Sequence, residues 1–244
     1  MTIPNEPAAR DEANWAKPVE RLTASPALTR ANHDDVTGKK TAGPLQGFGQ
    51  MWQKSLQVPL AGVEIAPRSV IVSWKELFPT FWPKNASFHV PLAGIQPGEV
   101  ALLEMKPGPG PVRFSTGVVC IYADADSFAF MTPEGHVLAA WITFSAHEKD
   151  GITYARIDAL ERPADPLSEL SYLLGGNRMN DRFWEETLTN LAAHFGAPGA
   201  VVERRVVCVD KQRQWRYFGN IRRSFALTAF ANTIMRPFAR LRRD

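Results

Sequence analysis

Met51 to Val58, MWQKSLQV, alternates along its length and predicts a strand, with Trp52, Lys54, Leu56 and Val58 on one face and Met51, Gln53, Ser55 and Gln57 on the other. Pro59 and Ala61-Gly62 close it. Pro67 suits a first helical turn, and Val70, Trp74, Leu77 and Phe78 recur at helical spacing before Pro79 and Pro83 stop the run. NASFHVPLAG and GEVALLEMK are short runs bounded by Gly and Pro, and both predict strands. From Gly108 to Glu161 the chain reads as a meander, turning at Ala123 to Asp126, Pro133 to Gly135 and Lys149 to Gly151. Asp150-Gly151 is a strong hairpin signal, and the close spacing implies an antiparallel sheet.

After Arg162-Pro163-Ala164-Asp165-Pro166 the periodicity changes. A long helix is predicted from about Met179 to Phe195, with Asn180 or Asp181 as N-cap and Gly196 as the terminating glycine. Its apolar stripe is Trp184, Leu188, Leu191 and Phe195. Residues 1–43 are rich in Pro, Ala, Asn and charge without sustained periodicity, and they read as a disordered arm. AVVERRVVCVD alternates like an added strand, and Asn220 to Leu241 reads as a basic amphipathic helix that Pro237 should kink. The division is an arm (1–43), a core domain (44–199) and a basic extension (200–244).

Strand, helix, several antiparallel strands and long helix is the order of an α+β helix-grip fold, a curved sheet wrapped around a long helix. The stretch from GFGQMWQK through FMTPEGHVLAAWITFSAHE to RPADPLSEL resembles an uncharacterised bacterial branch of the START/SRPBCC (birch-allergen-like) superfamily, over about residues 45–196. That resemblance implies a ligand cavity between sheet and helix for a hydrophobic molecule, a lipid or polyketide-like metabolite. It supplies no catalytic residues. A cyclase or hydratase using the same cavity is the enzymatic alternative.

Composition sharpens this picture. Seven Trp and fourteen Phe support either a packed core or an aromatic-lined cavity. The cavity candidates are Trp74, Phe128, Phe130, Trp141, Phe144, Trp184 and Leu188. Trp141 and Phe144 are of opposite parity on one strand, so only one of them faces inward. Cys120 and Cys208 sit in apolar runs and read as small buried hydrophobes, with a bridge between them left open. No apolar leader or membrane-spanning run is visible, and the expected location is the cytoplasm.

The five histidines show no metal-ligand spacing, and no cofactor is expected. Glu134 and His136 flank a turn where an acid/base pair could sit, and His89 is the third weak catalytic candidate. Charge is uneven: residues 203–244 carry +8 and the preceding chain −5. Arg222, Arg223, Arg236, Arg240 and Arg243 are the candidate contacts to a polyanion. Three readings of the tail follow: docking on the core, lying on an anionic membrane, or binding nucleic acid, for which Arg213, Trp215, Arg216 and Tyr217 interleave charge with aromatics.

Overall fold

The computed structural model describes residues 11–25, 36–106, 114–224 and 227. Eight strands form one antiparallel sheet: β1 (Met51–Pro59), β2 (Ala86–His89), β3 (Val100–Met105), β4 (Phe114–Ala123), β5 (Ser127–Met131), β6 (Leu138–Lys149), β7 (Ile152–Pro163) and β8 (Glu203–Asp210), in the order β2-β3-β4-β5-β6-β7-β1-β8. The β6–β7 hairpin turns at Asp150 and Gly151, both at positive φ, which suits the right-handed strand twist. Helix α1 (Pro67–Leu77) starts on its proline and buries Val70, Ile71 and Trp74. A tight turn over Phe78–Phe81 follows, and Asn190 of the long helix donates to the Phe81 carbonyl at 3.0 Å.

The long C-terminal helical segment starts earlier than its periodicity predicts. Asp165 caps α2 (Pro166–Ser171), accepting from the Leu167 and Ser168 amides. A π-helical turn (Tyr172–Gly176) leads into α3 (Asn177–His194). Neither Asn180 nor Asp181 is the N-cap; the capping signal lay upstream of Pro166, and Leu170, Leu173 and Leu174 interrupt the stripe that links the two helices. Gly196, at φ 88°, ends α3 as expected.

Alternation sorts the sheet into two faces. The inner face packs Leu56, Val58, Ala101, Leu103, Val118, Phe128, Phe130, Phe144 and Ile157 against α1 and α3, which contribute Trp74, Leu188 and Leu191. This is the helix-grip arrangement. The outer face carries Val100, Leu102 and Val119, covered by Leu22, Ala24 and Val36.

That cover corrects the disordered-arm reading for residues 11–25 and 36–43, the part of 1–43 that the structure describes. Residues 11–25 and 36–43 lie against the sheet: the Ala16 amide donates to the Ile121 carbonyl at 2.9 Å, the Ala42 amide to the Thr132 carbonyl at 2.8 Å, and Trp15 packs at a tilt on Tyr122 with centroids 4.7 Å apart. The physical reason is the apolar outer face, which isolated residues such as Leu22 and Val36 suffice to shield. The 200–244 extension also joins the body at its start, where β8 pairs with β1.

Candidate functional site

The inner aromatic residues form one packed cluster. Phe128 and Phe144 stack at 4.7 Å, and Trp74 meets Phe144 edge-on at 5.3 Å and Phe128 at 6.1 Å. Trp74, Phe128, Phe144 and Leu188 have no accessible surface, so no water-sized void touches them. Around these four residues, side chains therefore close the space between sheet and α3 where an open cavity is expected. Phe130 belongs to the same cluster. At its rim, half-buried Phe183 and Trp184 pack on Trp82 at 4.9 and 6.3 Å.

Trp141 is corrected outright. It stands on the outer face, 36% exposed, 6.1 Å from Trp15, because Phe144 takes the inward parity. There it borders an open groove of about 260 Å³ shared with Trp15, Leu22, Ile121 and Met131.

Two polar atoms interrupt the inner cluster. The indole N–H groups of Trp74 and Trp82 are buried and find no acceptor among the described residues. A buried donor left in this state costs about 1–3 kcal/mol.

A second buried group lies at the other end of α3, and the sequence reading missed it. Lys54 is fully buried. Its ammonium meets Asp181 Oδ1 at 2.5 Å, Asn177 Oδ1 at 2.7 Å and Glu161 Oε1 at 2.8 Å, which uses all three of its donors. Glu161 also accepts from the Tyr172 hydroxyl at 2.8 Å and from Asn180 at 3.0 and 3.1 Å. Burial and then the Glu161 charge push the Tyr172 phenol upward, keeping it a neutral donor. Arg204 of β8 reaches Asp181 Oδ2 at 3.4 Å. The signal was present: Lys54 shares its face with Trp52, Leu56 and Val58, where a cation demands buried partners.

The catalytic candidates are not brought together at the inner cluster. Glu134 is occupied by Arg223 at 2.6 Å and by the Lys40 amide at 3.4 Å. His136 accepts from the Leu138 amide at 3.0 Å, and burial lowers its pKa to about 4. His89 follows inward-facing Phe88 on β2, so it stands on the opposite side of the strand. Cys120 and Cys208 are both free thiols, and burial pushes Cys120 up to about 12. Among the described residues no cluster of His, Cys, Asp or Glu has the makings of a metal site, and no helix is long and apolar enough to cross a membrane.

The basic extension returns to the body after β8. Buried Arg162 binds Asp210 at 2.6 Å and the Gly49 and Gln212 carbonyls at 2.7 and 3.1 Å, holding the Asp210 carboxyl below its usual range. Trp215–Arg223 is a 3-10 helix, not the expected α-helix from Asn220; Asn220 instead donates to the Gln46 and Ala164 carbonyls. Arg222 is exposed and Arg223 pairs with Glu134. Arg236, Arg240, Arg243 and most of the predicted amphipathic helix lie outside the described residues.

No family model matches the chain, and no curated protein matches it. Solved structures do. Protein Ms6760 from Mycobacterium smegmatis is 17% identical, with a TM-score of 0.40 over 58% of this chain and 89% of its own. The di-domain ARO/CYC StfQ from the steffimycin biosynthetic pathway is 11% identical, with a TM-score of 0.43 over 59% of this chain and 50% of its own. Ara h 8.0201 is 8% identical, with a TM-score of 0.43 over 60% of this chain and 99% of its own.

Proposed function

We propose that this protein binds a hydrophobic small molecule, lipid or polyketide-like, between the sheet and α3. The observation that carries the reading is that the indole N–H groups of Trp74 and Trp82 are buried with no acceptor among the described residues, in an interior that is otherwise aromatic and aliphatic. An apolar ligand with oxygen acceptors would satisfy both donors while its body replaces ring-to-ring packing. Because the rings around Trp74 are closely packed, the ligand enters by displacing the half-buried rim of Phe183 and Trp184. Affinity then comes from buried apolar ligand surface at roughly 25 cal/mol per Å², less the cost of opening the rim. Binding without chemistry is favoured over a cyclase or hydratase because Glu134 and His136 are engaged elsewhere and His89 faces away.

Native mass spectrometry of the purified full-length protein, with solvent extraction, tests this. A reproducible adduct of a small apolar molecule is expected, lost or weakened in Trp74→Phe and Trp82→Phe. A bare protein mass that persists after incubation with a mixed lipid extract overturns the reading.

A further inference from the structure

The corner where α2 passes through the π turn into α3 exposes side chains that the fold would ordinarily hide. Leu170, Leu173 and Met179 are about half exposed, and Leu174 is 80% exposed. Leu173 and Leu174 are adjacent in sequence, and both point outward where Gly175 adopts φ 123°, outside the range of L residues. The Trp215–Arg223 turn packs against α2 and is joined to it through the Arg213–Glu169 ion pair at 3.1 Å. It adds exposed Trp215 and Phe218, their rings stacked 6.0 Å apart.

The charges that flank these side chains are mainly basic, with Glu185, paired to Arg204, and exposed Glu186 following one turn on along α3. Arg178 and Arg182 follow the leucines on α3, and Arg216 and Arg222 flank the exposed rings. All four are exposed, and none forms an ion pair among the described residues. The local acid Glu169 is buried and already taken by Arg213.

We propose that this corner, with the adjoining Trp215–Arg223 turn, is a docking surface for an anionic lipid bilayer. Aliphatic tips and indole rings gain by leaving water for the acyl boundary, while unpaired guanidinium groups beside them meet lipid phosphates. A nucleic acid would reward the arginines and the rings but leave four aliphatic side chains in water. The surface stands on residues that the interior ligand reading does not use, and its test needs no ligand.

The full-length chain is floated with vesicles of phosphatidylcholine alone and of equal parts phosphatidylcholine and phosphatidylglycerol. Binding to the anionic vesicles only, weakening as salt rises, is expected. Leu173→Ser with Leu174→Ser should weaken it by about tenfold or more, since two largely exposed leucines lose their acyl contact. Arg178→Gln with Arg182→Gln should weaken it and flatten the salt dependence. Both pairs are exposed, and an unchanged circular dichroism spectrum shows that the fold survives. Wild-type affinity in the leucine variant, with the rest of the basic tail intact, overturns the proposal. So does a wild-type chain that ignores both vesicles while retaining a single-stranded oligonucleotide.

Discussion

The two ends of the space under α3 bury polar groups in opposite ways. At the ionic end, the Lys54 ammonium and both carboxylate oxygens of Glu161 and of Asp181 have partners. At the aromatic end, Trp74 and Trp82 each leave a buried N–H without an acceptor among the described residues. A satisfied network fixes geometry, because each partner is costly to remove. An unsatisfied donor does the reverse: it raises the energy of the closed state and favours whatever brings an acceptor. The ionic end therefore reads as the latch that holds the start of α3 on β1 and β7, and the aromatic end as the part built to accept something.

The largest test breaks the latch. Lys54→Met leaves Glu161 and Asp181 buried without their cation, and should cost about 3–5 kcal/mol in urea unfolding. A loss well below that would show that the carboxylates relax into water, and the contrast between the two ends would fail. Joint replacement of Lys54, Glu161 and Asp181 by apolar residues should recover much of the loss, because the desolvation cost goes with the charges.

Acid comes next, and it acts on a part-buried group, His136. His136 fits its site only when neutral, with a folded pKa near 4, below the unfolded value of about 6.5. The unfolded chain therefore binds the proton first. The His136 contribution is complete above pH of about 6.5 and is lost as pH falls through about 4, a change on the order of 3 kcal/mol. Comparing unfolding midpoints of the wild type and His136→Gln across this range checks it; parallel curves would exclude His136 as the cause.

The smallest effect is the most telling for the aromatic end. Trp74→Phe removes an idle donor along with some ring volume, so the stability loss should stay within about 1–2 kcal/mol. A loss near that of deleting a large core side chain, about 3–5 kcal/mol, would mean that the indole N–H is engaged in the folded protein.

Much of the fold was legible because local rules set it. Pro67 begins α1, Asp150-Gly151 makes its hairpin, Gly196 stops α3, and alternation in β1 put Lys54, Leu56 and Val58 on one face. The candidate site was legible only in part. Trp74, Phe128, Phe144 and Leu188 do meet, but periodicity cannot tell whether facing rings leave a gap or close it. That depends on how far α3 sits from the sheet, which the Lys54 network and the Asn190–Phe81 contact set.

Residues 11–25 and 36–43 carried too few apolar positions to show a pattern, so only the bare outer face of a finished sheet gives them a place. Local pattern alone places β1, α1, the β6–β7 hairpin and the end of α3, and it sets the parity that turns Phe144 inward and Trp141 outward once one is chosen. The tertiary structure decided which parity wins, what Lys54 pairs with, and which leucines stay in water, because each depends on partners more than a hundred residues apart or on a surface that exists only after the sheet has closed over α3.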